Sequence, residues 1–217
     1  MENPSRPQRV PRPLELALGL CALAFSLVLN NMAGHLAERL GRNANSSPDL
    51  ILNVLPLVDT TLVFVWGFAA FVLWAVVVTA WRERGRAAYI AWSYALLIMV
   101  RCFFIILTPM RLPPEAIWVE GDFLFDKIGS YMTFRHDLFF SSHTALPFLG
   151  YLLFRGRAIR LSFLFFSVLL ASSVLLGRLH YSIDVFAAYF ITYAVHKVEI
   201  RWFQPFYGRL KRRWLAR

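Results

Sequence analysis

Along the chain, apolar positions gather into six long runs separated by polar links. The first runs from Leu14 to about Met32 and is broken by Glu15, Asn30 and Asn31. The second spans Thr60 to Trp81, and the third Ala87 to Leu107, with Arg101 near its end. The fourth spans Leu138 to about Phe154 with Pro147 inside it, the fifth Ile159 to about Gly177, and the sixth Ile183 to about Val198. Crossing a bilayer as a helix takes about 20 mostly apolar residues, and a helix satisfies its own backbone where no water is present. The pattern predicts an all-α, polytopic membrane bundle of six transmembrane helices. It divides into a basic arm over residues 1–13, a six-helix domain over 14–200, and a basic aromatic tail over 201–217. No internal repeat or low-complexity tract is visible.

Composition agrees with the runs. Hydrophobic residues make up 58% and charged residues 17%, against about 25% charged in a soluble domain. The net charge of +10 would suggest nucleic acid in a soluble protein, but its distribution argues against that. The N-terminal arm, the links after the second and fourth runs, and the C-terminal tail hold 16 of the 23 basic residues. Six crossings put all four segments on one side, which the positive-inside rule makes cytoplasmic. Both termini are therefore expected there, near anionic lipid headgroups. Nine of the 13 acidic residues fall on or near the opposite face. The Arg-rich start followed by Ala22-Leu23-Ala24 mimics a secretory signal, but the small residues lie inside the apolar run, so an uncleaved span is expected. Asn45-Ser46-Ser47 is a glycosylation triplet. Cys21 and Cys102 lie in apolar runs and cannot build a metal site alone. Oligomeric state is not written in the sequence.

The chemistry gathers at two places, both at the outer end of the predicted bundle. One is Arg135-His136-Asp137 through Ser141-Ser142-His143-Thr144, running from an acidic, proline-bearing loop (about Thr108 to Asp137) into the fourth run. That loop is expected to fold as a cap. The other is Arg178-Leu179-His180-Tyr181-Ser182-Ile183-Asp184, joining the fifth run to the sixth. His180 and Asp184 are four apart and share one helix face. A carboxylate accepting from one imidazole nitrogen makes the other a better base or nucleophile. His143 lies at the mouth of a neighbouring span, and two imidazoles across a phosphorus centre suit phosphoryl transfer. Arg101, Arg135 and Arg178 are candidate holders of phosphate oxygens, with Ser141, Ser142 and Tyr181 beside the histidines as further substrate contacts. Each residue also has a plain reading as a snorkelling or helix-end group, but polar residues this deep are costly. Arg101 needs a partner, for which Asp59 or an acid of an outer loop is expected. His35 and His196 are read as interfacial.

Asp137 followed by Ser141-Ser142-His143-Thr144, and His180-Tyr181-Ser182-Ile183-Asp184-Val185 running into Ala187 to Thr192, resemble the sphingomyelin synthase family, within the lipid phosphate phosphatase (type 2 phosphatidic acid phosphatase) superfamily. Arg101-Cys102-Phe103 through Thr108 resembles that family's motif at the end of its third span, and Pro56-Leu57-Val58-Asp59 weakly resembles the one before its second. The resemblance implies six spans, a lumenal or exterior site, and transfer of a phospho-headgroup from a glycerophospholipid to ceramide. It implies no metal and no cofactor. It also implies His180 as nucleophile oriented by Asp184, His143 as acid and then base, and Asp137 as support for His143. Arg178 precedes the nucleophile as in the ceramide phosphoethanolamine synthase-like branch. The chain departs from the family pattern at Arg135-His136, Ser142 and Ser182, which leaves donor headgroup and acceptor open. The expected partners are a phospholipid donor, a lipid acceptor and the bilayer. A phosphatase or phospholipase C-type hydrolase using the same residues is the alternative, and a non-enzymatic lipid-binding transporter or scaffold a third reading.

Overall fold

The computed structural model describes residues 13–203. The arm before Pro13 and the tail from Gln204 onward lie outside the described residues. Those described form an all-helical protein with no strand. Its helices are α1 (Pro13–Leu40), α2 (Phe68–Arg82, preceded by a π-helical turn, Val63–Gly67), α3 (Ala87–Leu107), the short α4 (Phe123–Lys127), α5 (Ser142–Leu153), α6 (Arg157–Leu176) and α7 (Ser182–Val198). Four segments are long and apolar enough to cross a membrane: Pro13–Asn43, Val63–Arg82, Arg84–Leu107 and Arg157–Leu176. Large apolar side chains such as Phe25, Leu73, Phe165 and Phe190 remain exposed on the outside of the bundle. This is the surface of a membrane protein, whose solvent is hydrocarbon.

All six apolar runs coincide with helices, but two boundaries move. α1 continues eight residues past Met32, to Leu40. Its buried face is made of small or slender residues, Gly19, Ser26, Asn30, Ala33 and Ala37, which let it lie close along α3. Hydropathy gives such positions little weight, so the apolar run ends before the helix does. Gly34 on this helix and Gly41 in the turn that follows it are notches. A Cβ on Gly34 would stand 2.1 Å from the Phe134 ring, and one on Gly41 would stand 2.6 Å from the His136 ring.

The second shift is at α5, which begins at Ser142 rather than Leu138. At 12 residues it is about 18 Å long, too short to cross alone. Non-helical backbone at such depth must be buried in protein with its polar groups paired. Leu138, Phe140 and Ser141 are indeed buried. Arg101 of α3 supplies the pairing: its Nε donates to the Phe140 carbonyl (3.1 Å) and its Nη2 to the Asp137 carbonyl (2.7 Å). The other end of α5 is held by Glu83, whose carboxylate accepts from the Arg155 N–H (3.1 Å) and from Arg86 Nη1 (2.9 Å). Arg86 in turn donates to the Leu153 carbonyl at 3.1 Å.

α5 packs against α6 and α7 around Phe140, Leu149, Leu153, Phe163 and Ala188. These packings and the bonds that link the loops give the bundle two distinct ends. One gathers Arg82, Arg84, Arg86, Arg155, Arg157 and Lys197, as expected from the basic links. The other gathers the two histidine segments and both long loops.

Candidate active site

His180 follows a helix C-terminus of unusual composition. Arg178 takes the left-handed conformation (φ 53°), and the bonds Arg178 N–H to Leu175 C=O (3.1 Å) and Leu179 N–H to Val174 C=O (2.8 Å) close a Schellman motif. Leu179 packs with Val174 in one apolar cluster, the contact such a motif normally carries. Glycine is the ordinary occupant of the left-handed position. Here an arginine fills it, and its guanidinium is spent on the cap, on Glu115 (2.5 Å) and the Leu52 carbonyl (3.4 Å).

The chain then turns into α7 through Tyr181. Asp184, fully buried, accepts the Tyr181 N–H on Oδ2 (2.9 Å), the reach-back of an acid in the first helical turn. The same oxygen stands 3.4 Å from His180 Nδ1. That is a close contact rather than a hydrogen bond, and His180 Nδ1 has no hydrogen-bond partner among the described residues; catalytic contacts of this kind are often long in unliganded sites. The opposite nitrogen, Nε2, is the one left for chemistry.

His143 sits in the first turn of α5. Phe64 stacks on it with ring centroids 4.0 Å apart and planes at 20°, and Phe68 lies 4.5 Å away. Pro147 has no N–H to give the His143 carbonyl, so the helix is open one turn into α5.

His143, His180, Asp137, Arg101 and Ser142 line one cavity with about 340 Å³ of empty space, part of it open to solvent. Phe64, Trp118, Leu179 and the segment Met132–Phe134 complete the wall. The cap expected over Thr108–Asp137 forms, and it is tied down at several points. Asp122 caps α4 and accepts Trp66 Nε1 (3.0 Å). Ile117 N–H donates to the Gly177 carbonyl (3.0 Å). Glu38 of α1 accepts the N–H groups of Arg135 and His136.

Arg101 finds its partner in Asp137, an acid at the end of the loop that leads into α5, at 3.2 Å, with both side chains buried. Asp59 instead accepts the Thr61 N–H at the start of the second run (2.9 Å). Arg101 Nη1 also donates to Asn30 Oδ1 of α1 (2.9 Å). Its donors are therefore engaged with protein acceptors, which weakens it as a direct phosphate holder. The Asp137 carboxylate faces Arg101, and among the described residues no hydrogen bond joins it to His143.

The other expected contacts lie one layer out. Arg135 pairs with Glu120 at 3.6 Å and stacks over Trp118, at the rim. Ser141 is buried behind the cavity, its N–H donating to the Asp184 carbonyl (3.2 Å). Tyr181 is buried facing away; its hydroxyl accepts from Ser47 N–H (3.0 Å) and donates to the Arg111 carbonyl (2.9 Å). On that far side a second, more open cavity of about 600 Å³ is bounded by Ser47–Ile51, Met110 and Tyr181–Ile183. There Asp49 accepts the Ser182 N–H (2.7 Å) and hydroxyl (3.0 Å). Partial burial works against the Asp49 charge, but these donors and the N–H groups of Leu52 and Ile51 outweigh it and hold its carboxyl below the usual range.

Several participants carry no sequence signal of their own. Phe64, Phe68 and Trp118 are aromatics among many, and Asp49 sits in an ordinary polar loop. Asn30 alone was legible, as a break in the first run. Among the described residues, no three His, Cys, Asp or Glu side chains gather where they could hold a metal ion. No protein-family model matches the sequence, and no curated protein matches it. The family resemblance thus rests on the motifs.

Proposed function

We propose that this chain is an integral membrane lipid phosphotransferase with six spans, both termini cytoplasmic, and its site facing the periplasm, exterior or lumen. The supporting observation is the convergence of His143, His180 and the Arg101–Asp137 pair on one cavity, with Asp184 behind His180 Nδ1. This cavity lies at the end of the bundle away from the basic links. α5 and α7 serve as the fourth and sixth spans, α5 being completed by the buried segment that Arg101 holds.

In the proposed reaction His180 Nε2 attacks the phosphorus of a glycerophospholipid. The bond from phosphorus to the glycerol oxygen breaks, and His143 gives that oxygen its proton, releasing diacylglycerol. His143 then takes the proton of a lipid hydroxyl such as that of ceramide. The freed oxygen attacks phosphorus, and the phosphorus–nitrogen bond breaks to restore His180. Asp184 steadies the imidazolium character that His180 acquires in between. No metal and no cofactor is assigned a step. Hydrolysis is the same sequence with water as acceptor. The buried Phe64 and the half-buried Trp118 on the cavity wall favour transfer, because apolar lining limits the water that reaches the intermediate.

The test is product analysis by mass spectrometry of detergent-purified protein given mixed phospholipids, with and without ceramide and diacylglycerol, in excess chelator. An acceptor lipid carrying the donor's phospho-headgroup is expected. Free phosphate or free phospho-headgroup, unchanged by acceptor, moves the assignment to hydrolase. No turnover, with His143→Ala and His180→Ala indistinguishable from the parent, overturns both.

A further inference from the structure

Six helical serines and threonines in this bundle close onto their own helix. Ser26, Thr79, Ser93, Ser162, Ser172 and Ser173 each donate to a carbonyl three or four residues back. This is how a hydroxyl survives away from water. Thr144 on α5 and Thr192 on α7 do not. Both are completely buried, and both hydroxyl oxygens lack a partner.

These two are not isolated. Asp184, Thr192 and His196 recur on α7 at multiples of four, on the face it turns into the protein, and all three are buried. Asp184 Oδ1, Thr192 Oγ1 and His196 Nδ1 are all buried without a hydrogen-bond partner. Ser141 Oγ, beside Asp184, and the Tyr94 hydroxyl of α3 share that condition. Tyr94 belongs to the same apolar cluster as Ile191 and Val195, the neighbours of Thr192 and His196. At the basic end the row meets Glu199, which is buried, lies 3.8 Å from His196 Nδ1 and accepts from Ser93 (2.5 Å). The one gap in the row, at Ala188, falls in the same cluster as Ala145, which follows Thr144; the Thr144 carbonyl accepts from the buried Ser167, itself 3.3 Å from the Tyr189 hydroxyl.

A buried polar group without a partner is expensive, and in folded proteins such groups are ordinarily satisfied by ordered water. Thr192 and His196, one helical turn apart, are separated by about 5–6 Å, the span of a single water making two hydrogen bonds, whereas Asp184 and Thr192, two turns or about 12 Å apart, need a chain of two or more. We infer that the seam of α3, α5, α6 and α7 binds a file of water molecules running from Ser141 and Asp184 to His196 and Glu199. The distance from Asp184 to Glu199 along α7 is about 22 Å, so the file crosses the apolar part of the bundle. It joins two ionisable pairs, His180–Asp184 and His196–Glu199, and gives them a route for proton exchange between the two ends. The inference does not depend on the reaction proposed above.

Hydroxyl-radical labelling by X-ray radiolysis, on the whole protein in lipid nanodiscs, tests it, because bound water generates radicals where bulk water does not reach. Tyr94 and His196 are expected to be labelled within about tenfold of the exposed Tyr131, while Phe163, fully buried among apolar neighbours, stays protected. Thr192→Val and Thr144→Val keep the side-chain shape and remove one hydroxyl each. Each is expected to lower Tyr94 labelling several-fold with the melting temperature within a few degrees of the parent. Tyr94 as protected as Phe163 overturns the inference. So does Tyr94 labelling that is unchanged in both valine variants, since access then does not run through these hydroxyls.

Discussion

α5 is held at its two ends by opposite chemistry. At its start a buried cation, Arg101, serves the carbonyls of Asp137 and Phe140. At its finish a buried anion, Glu83, serves the N–H of Arg155, with Arg86 relaying charge to the Leu153 carbonyl. Each clamp pairs backbone groups of the non-helical residues flanking α5, Asp137 and Phe140 before it and Arg155 after it, Arg101 reaching from α3 and Glu83 from the end of α2. A helix too short to span is thereby fixed at depth. The two clamps differ in what lies beside them. The Arg101 clamp forms a wall of the histidine cavity, whereas the Glu83 clamp lies among the basic links, away from it.

The comparison breaks most visibly at His180. Histidine-to-alanine there is expected to abolish transfer by about a thousandfold or more, equivalent to about 4 kcal/mol of barrier, with little change in melting temperature. A folded His180→Ala protein with full turnover contradicts the site. Arg101→Met strikes the fold itself: it leaves Asp137 buried and unpaired and frees two carbonyls. Removing one partner of such a pair costs about 3–5 kcal/mol, read as failure to survive detergent extraction or a large loss of thermal stability. Glu83→Gln keeps an acceptor for the Arg155 N–H and loses only the charge. It should cost about 1–3 kcal/mol, while turnover per folded molecule is unchanged. Loss of turnover by Glu83→Gln beyond its loss of fold would erase the distinction between the ends.

The smallest expected effect is at Asp49, which caps α7. Asp49→Asn should lower stability by about 1 kcal/mol or less. The sign of its pH dependence is fixed. A carboxyl held below its usual value contributes stability above the unfolded pKa of about 4 and loses it as pH falls through the lower folded value. The difference in melting temperature between parent and Asp49→Asn is therefore present at neutral pH and closes below about pH 4. A gap that persists there means the charge of Asp49 is not what holds Ser182.

Hydropathy located every long helix because burial in hydrocarbon writes itself as composition. It missed the true start of α5, since Leu138–Ser141 is as apolar as the helix after it and is excluded from helix by bonds to a residue 36 to 39 positions away. It also passed over the small-residue face of α1, whose value is the close approach it permits. The histidines, Asp137, Ser142 and Arg101 were legible because ionisable groups in apolar runs need a reason. Their neighbours Ser141, Tyr181, Arg178 and Arg135 fell one layer out. In the turn between α6 and α7 adjacent residues point to opposite sides, and nearness in sequence cannot choose between them. Phe64 and Trp118, which shape the cavity, look like any other aromatic in this chain.

The notches of Gly34 and Gly41 set an order on assembly. α1 leaves the ribosome first, and its small-residue face can close on α3 once residue 107 has been made. The two notches wait longer, for Phe134 and His136. Glu38, between them, waits for the same stretch of backbone. The cap is thus the late arrival that locks a pre-formed helix pair. The cavity itself is completed only once the segments that carry His143 and His180 have also been made.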